Sequence, residues 1–286
     1  MLHLKNYLSL LRLRHWVKNL FLFAPPFFGG SLFSEAILSM AFPAFISFSL
    51  CASAGYILND VSDIENDKLH DKKKKRAIAS GSVRKENAWI FTVLLGVSSL
   101  IIAFKISLVF LFFILFYFSI QITYSLYLKE IPIVDIFCIA SGFVLRVLAG
   151  GAAFNVKVSQ WLLLTMFMIS LVLAAGKRIA EVNTLNEKAE EHRKSLNPYS
   201  RSTLNEILSI ASAASLIAYA LYTIEQAYNL VYTVPIVTFG LFRYIMLSKQ
   251  GMGDPTDAMT KDKWLAGTVV MWLLLVWVIR YNYIWH

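Results

Sequence analysis

The sequence predicts an all-α polytopic membrane protein, and three features carry that reading. Of the 286 residues, 57% are hydrophobic and 16% charged, with a mean hydropathy of +0.59. Soluble domains carry about 25% charged residues, and a soluble core of this size could not hide so much apolar surface. Apolar runs suited to crossing a bilayer, at about 20 residues each, fall at 20–34, 36–58, 87–104, 106–128, 131–154, 160–176, 203–224, 230–247 and 264–284. Basic residues alternate between loops: with the N-terminus inside, 23 Lys and Arg fall on the inner side, only Lys105, Lys157 and Arg280 on the outer side, and Arg146 within a run. That asymmetry suits nine spans with a cytoplasmic N-terminus and an outer C-terminus.

Taken in order, the first run is broken by Pro25-Pro26 and Gly29-Gly30, which a membrane tolerates where the freed backbone faces protein or a cavity. The run from Ser107 to Tyr127 is almost continuous Phe, Leu, Ile and Tyr, which excludes a soluble helix. Tyr281, Tyr283 and Trp285 read as an interfacial aromatic belt. Lys18 interrupts the N-terminal stretch and no A-x-A site follows it, so no cleaved signal is expected. Cys51 and Cys138 lie in apolar runs without a C-x-x-C, which argues against a disulfide or zinc site. The net charge of +9 is orienting charge with a second use on anionic ligands. Its short-loop distribution excludes nucleic acid as a partner. No repeat or low-complexity linker divides the chain, so residues 1–286 read as one domain. A homo-oligomer is compatible with the sequence, which does not fix the oligomeric state.

Two predicted cytoplasmic loops, 59–86 and 177–202, carry dense charge of both signs, more than orientation requires. In the first, Asp60, Asp63 and Asp67 are spaced i, i+3, i+7, which on a helix extending the second span puts three carboxylates on one face. Close carboxylates repel unless a cation neutralises them. Mg²⁺ uses one or two carboxylates plus waters and substrate phosphates. The cluster, with Asn59 at its start, therefore reads as a Mg²⁺-diphosphate site at the membrane–water interface, the alternative being a solvated polar helix end. Downstream, Lys72 to Arg76 form a basic run whose plain use is anchoring at anionic lipid. The turn Ile78-Ala79-Ser80-Gly81 suggests a fixed loop that aims Arg76 back at a phosphate.

Asn59-Asp60-x-x-Asp63-x-x-x-Asp67, then His70, Lys73, Arg76 and Ile78-Ala79-Ser80-Gly81, resembles the first signature of the UbiA superfamily of intramembrane prenyltransferases, N-D-x-x-D-x-x-x-D-x-x-H-P-x-K-x-x-R-P-I-A-S-G. Asp71 and Ala77 replace the two prolines. The resemblance implies nine transmembrane helices around a central cavity and a site facing the cytoplasm. Ordinary members carry a second aspartate-rich motif, whereas this chain has no Asp between Gly176 and Arg201. It has Gly176-Lys177-Arg178-Ile179-Ala180-Glu181, then His192-Arg193-Lys194-Ser195-Leu196 and Tyr199. That variant resembles the decaprenyl-phosphate phosphoribosyltransferase branch. Three further stretches resemble the same branch: Arg12-Leu13-Arg14-His15-Trp16-Val17-Lys18-Asn19, Tyr124-Ser125-Leu126-Tyr127-Leu128-Lys129, and Ser141-Gly142-Phe143-Val144-Leu145-Arg146 followed by Ala149-Gly150-Gly151.

The branch implies transfer of 5-phosphoribose from phosphoribosyl pyrophosphate to a polyprenyl phosphate of decaprenyl type, with release of pyrophosphate. The product would feed cell-envelope glycan synthesis, at the inner membrane of a bacterial-type cell. Asp60, Asp63 and Asp67 would hold Mg²⁺ as the catalytic set. Asn59, Lys73, Arg76, Lys177, Arg178 and Glu181 would bind the donor. Lys18, Tyr124, Lys129 and Arg146 would meet the acceptor phosphate. An arginine within a span is a functional candidate by default, although Arg146 could instead pair with Asp135 or a helix carbonyl. Asp135 could also partner Lys129 or be a plain interfacial charge. Two rival readings stand: a UbiA-type enzyme moving a prenyl group from a prenyl diphosphate to an aromatic acceptor, and a transporter or channel with an acidic cation site. The missing second aspartate motif speaks against the first. The clustering of charge at one membrane face speaks against the second.

Overall fold

The computed structural model describes residues 2–69, 73–185, 201–225 and 229–282. Among them, eight helices are long and apolar enough to cross a membrane: α3 Glu35–Ser62, α5 Lys85–Ile106, α6 Leu108–Leu126, α7 Val134–Phe154, α8 Gln160–Leu185, α9 Arg201–Glu225, α10 Val234–Lys249 and α12 Lys263–Asn282. Shorter helices are α1 Leu2–Leu10, α2 Ala24–Phe28, α4 Ile64–Leu69 and α11 Pro255–Lys261. The long helices keep apolar side chains on their outer faces. On α5, for example, Ile90, Val93, Leu94 and Phe104 are all exposed. In water that surface would be costly; in lipid it is matched.

The expected span at 20–34 is not among the eight. Leu13–Phe23 forms a 3-10 helix, α2 follows, and Gly30 turns the chain at φ +75°. Pro25 and Pro26 lack N–H donors and are accommodated in the first turn of a helix, not the middle of one. The segment nevertheless travels the length of α3. Arg12 pairs with Asp60 near the end of α3, Trp16 Nε1 donates to Ser53 Oγ at 3.0 Å, Asn19 Nδ2 donates to Ser49 Oγ at 2.9 Å, and Ser34 is the N-cap of α3. A 3-10 helix rises about 2.0 Å per residue against 1.5 Å for an α-helix. Arg12 to Asn19 therefore roughly keeps pace with the longer stretch Asp60 to Ser49. A broken, tightly wound stretch of chain stands where a ninth helix was expected, and Arg12 ends beside the 59–86 loop.

The chain divides into two compact units. The first comprises Met1–Pro26, Leu32–Lys129 and Leu145–Lys157; the second comprises Phe27–Ser31, Glu130–Val144 and Val158–His286. Within the first, Leu22, Phe48, Phe110, Ile114 and Tyr117 centre the core. Helices α3 and α5 approach closely through small residues: Ser47 Oγ donates to Ser99 O at 2.9 Å and Ser99 Oγ to Ser47 O at 2.7 Å. Gly150 on α7 has no room for a Cβ, which would strike the Leu22 carbonyl. The Ala149-Gly150-Gly151 motif thus lets the N-terminal segment lie on α7. Within the second unit, α8 packs along α9 over Ile136, Val172, Ala175, Leu204 and Leu208.

Candidate active site

The acidic loop of the first unit is built by a break, not by a continued helix. α3 ends at Ser62, Asp63 caps it at φ −99° and ψ 8°, and α4 begins at Ile64. The Asp63 N–H donates to Asn59 O at 3.0 Å and the Asp67 N–H to Asp63 O at 2.8 Å, so the path stays nearly helical through the break. The expectation that all three carboxylates share one face of one helix is corrected accordingly. Asp60 and Asp67 come together: Arg76 Nη1 donates to Asp60 Oδ1 at 2.9 Å and to Asp67 Oδ2 at 2.6 Å. Asp63 turns to a different set, pairing with Lys129 and accepting from Asn59 Nδ2 at 3.0 Å. Lys129 Nζ also reaches Ser62 Oγ at 3.2 Å. Among the described residues no three metal-ligating side chains are gathered at one point.

Both Asp60 and Asp67 are buried, whereas the arginines beside them keep part of their surface in solvent. Burial raises the Asp67 carboxyl above the ordinary carboxylate range, and Arg76 only partly offsets this. The turn behind Arg76 forms as expected. Ser80 N–H donates to Arg76 O at 2.9 Å, Val83 N–H to Ala77 O at 2.9 Å, and Gly81 supplies φ +75°. Ile78 is buried with Ile57, Val61 and Val83, so the loop is anchored by core packing. Lys73 lies exposed at the start of this turn, in a short 3-10 helix Lys73–Lys75. His70 lies outside the described residues.

One guanidinium nitrogen bridging two buried carboxylate oxygens already marks a cation position between them. That donor set fits a hard divalent ion, which needs one or two carboxylates with the rest from water and phosphate. Asp63 stands beside this position with its own cation, Lys129.

In the second unit, Gly176-Lys177-Arg178 lies within α8. Arg178 is fully buried; its Nε donates to Asp135 Oδ2 at 2.7 Å and its Nη1 to Glu181 Oε2 at 2.5 Å. Arg178 is thus a buried partner of Asp135, one that spacing along the chain did not suggest. Lys177 and Glu181 are half-buried. The turn after α10 is pressed against them. A Cβ on Gly253 would overlap the Gly176 carbonyl and Lys177 Cα, and the Tyr244 hydroxyl lies 2.8 Å from Gly253 O and 3.0 Å from Leu173 O. Residues 186–200, including Arg193, Lys194, Ser195, Leu196 and Tyr199, lie outside the described residues, as do Tyr283 and Trp285 of the expected aromatic belt.

Arg146 is buried in the first unit. Its Nε donates to Asn19 Oδ1 and its Nη2 to the Tyr117 hydroxyl, each at 2.9 Å, with the guanidinium over the Phe48 and Tyr117 rings at 5.3 and 5.0 Å. Asp135 is about three turns away on the same helix, roughly 16 Å. Lys18 and Tyr124 are half-buried, on the N-terminal 3-10 helix and the last turns of α6. The structure therefore brings Lys129 to the carboxylates and ties Arg146 to the N-terminal segment. Sequence reasoning missed Arg12 as a member of the acidic cluster, and Asn19 and Tyr117 as partners of Arg146. Arg12 and Asn19 stood in the quoted N-terminal motif, which was the available signal.

The UbiA prenyltransferase family matches residues 21–266. Decaprenyl-phosphate phosphoribosyltransferase of Mycobacterium tuberculosis is 33% identical over 276 residues, covering 93% of this chain and 91% of the relative. That of Mycolicibacterium smegmatis is 32% identical, covering 93% and 88%. Among solved structures, a UbiA homolog from Archaeoglobus fulgidus bound to DMAPP and Mg²⁺ superposes with a TM-score of 0.73 at 18% identity, covering 96% of this chain and 99% of that one. At that identity the likeness concerns the fold.

Proposed function

Because this chain belongs to the UbiA prenyltransferase family, we propose that it transfers 5-phosphoribose from phosphoribosyl pyrophosphate to a polyprenyl phosphate in the membrane. One observation carries this reading: near-full-length identity of 32–33% to enzymes named for that transfer. The first-loop geometry supports it, since buried acids edged by part-exposed cations suit a polyanionic donor.

An acceptor phosphate oxygen attacks the anomeric carbon of the donor. The C–O bond to pyrophosphate breaks, and its electron pair leaves with pyrophosphate. The acceptor is already an anion near neutral pH, so the reaction needs no strong base, in keeping with a site poor in His. Asp60 and Asp67, with Asp63 beside them, would hold Mg²⁺, which supplies charge neutralisation of the leaving pyrophosphate. Asn59 orients Asp63. Arg76 and Lys73 bind donor phosphates from the first loop; the resemblance assigns donor contacts to Lys177 and Glu181 as well. Arg178 is a positioning residue: its pairs with Asp135 and Glu181 fix the α8 turn that carries Lys177. Lys129 and Lys18 serve the acceptor phosphate, with Tyr124 beside it, and Arg146 holds the N-terminal segment that carries Lys18. Catalysis rests on positioning and charge stabilisation.

The loop pattern of basic residues supports an inner-membrane protein with this site and the N-terminus in the cytoplasm and the C-terminus outside. Its lipid-linked pentose phosphate would be consumed by cell-envelope glycan synthesis. Membranes containing the protein, incubated with Mg²⁺, labelled phosphoribosyl pyrophosphate and decaprenyl phosphate, should move label into the lipid phase, with a product mass equal to the lipid phosphate plus ribose 5-phosphate less one water. Label left wholly in water, with prenyl transfer to an aromatic acceptor instead, would sink the proposal.

A further inference from the structure

Arg12 has no role in the transfer described so far, yet it is the second cation on Asp60. Its Nη2 pairs with the same Oδ1 that Arg76 Nη1 holds at 2.9 Å, and its guanidinium lies 5.3 Å from the Tyr56 ring centroid. The backbone there is unusual: Arg12 adopts φ 50° and ψ 50°, the left-handed region, at the joint between α1 and the 3-10 helix. A non-glycine residue held there costs about 1 kcal/mol or more. Backbone bonds brace it, Arg12 N–H to Ser9 O at 3.2 Å and His15 N–H to Arg12 O at 2.7 Å, together with the side-chain contacts to Asp60 and Tyr56.

Charge balance gives this joint a consequence. Asp60 and Asp67 balance Arg12 and Arg76 charge for charge, with Lys73 as a further cation acting on Asp67. A divalent cation between the carboxylates leaves two guanidinium charges uncompensated, and a diphosphate supplies the missing negative charge. The carboxylates are buried while the guanidiniums reach solvent, so the arginines are the members able to leave.

We propose that Arg12 is a further donor-binding residue, which occupies Asp60 in the metal-free protein and passes to the donor diphosphate when a divalent ion takes its place. Metal and diphosphate then bind cooperatively, because each relieves the charge imbalance that the other creates. By linkage the coupling is reciprocal. This inference rests on the proposed metal site, and the test separates the two.

Mn²⁺ binding to purified protein, followed by electron paramagnetic resonance with and without inorganic pyrophosphate, reads the coupling directly. Arg12→Asn and Arg12→Gly remove the charge with residues that accept positive φ, so both should fold. Expected is tighter binding of Mn²⁺ alone, by about threefold or more, together with loss of most of the pyrophosphate-induced gain in affinity, which couplings of about 5–150-fold make measurable. Arg12→Lys, keeping the charge, should restore the wild-type pattern. Unchanged or weaker Mn²⁺ binding in both neutral variants overturns the role of Arg12 while leaving the metal site standing. Wild-type Mn²⁺ affinity in Asp60→Asn overturns the metal site and this inference together.

Discussion

Two arginine–aspartate arrangements in this molecule use the same chemistry to opposite ends. At the end of α3, Arg76 and Arg12 meet Asp60 and Asp67 with the cations part-exposed. Between α7 and α8, Arg178 meets Asp135 with both side chains fully buried. In the first, water can receive a departing guanidinium, which is what the proposed exchange of partners needs. In the second, the pair sits in a low-dielectric interior, where Glu181 also holds Arg178 and separation is costly. Burial of the cation, not the identity of the pair, separates a binding site from a structural tie.

The comparison breaks first at Arg178. Arg178→Met should destabilise the protein by about 3–5 kcal/mol, because it strands a buried Asp135. Adding Asp135→Leu should recover most of that in thermal unfolding. A mild effect of the single change would mean that the buried pair is exchangeable after all. Asp60→Asn should act the other way round. Phosphoribosyl transfer should fall by about 10²–10³-fold, the scale of losing one charge-stabilising contact, with the fold retained in membranes. Arg146→Met sharpens the contrast with a buried arginine that donates to the neutral Asn19 and Tyr117. It should cost about 1–3 kcal/mol, since those groups lose a buried hydrogen-bond partner. The smallest effect belongs to Asp262, where the Arg243 hydrogen bond, and then the Leu265 N–H, hold the carboxyl below the ordinary carboxylate range. Its contribution is present above the unfolded value near pH 4 and is lost as pH falls through the lowered value. The thermal midpoints of wild type and Asp262→Asn should therefore converge in acid.

Much of the candidate site was legible in the sequence because it is local. Asp60, Asp63 and Asp67 stand within two turns of each other, and the Ile78-Ala79-Ser80-Gly81 turn that returns Arg76 to them needs no distant residue. Arg12, Tyr117 and Asp135 were harder to place, since each finds its partner across dozens of residues: Arg12 at Asp60, Tyr117 at Arg146, Asp135 at Arg178. Spacing cannot rank such partners. Asp135 shows the difficulty, because Lys129 and Arg146 were nearer in sequence than Arg178, and packing chose Arg178. The first apolar run shows the converse, where Pro25-Pro26 and Gly29-Gly30 announced the break that the structure contains.

By itself the sequence determined the membrane class, eight of the long helices and the chemical character of both loops, because hydropathy and local spacing act within one segment. Tertiary structure alone decided that the N-terminal segment runs along α3 as a 3-10 helix, that Asp63 parts from Asp60 and Asp67, and which paired arginines keep contact with solvent. Those outcomes depend on how deeply a side chain is buried and what lies across from it, and burial is a property of the packed chain, not of any stretch of it.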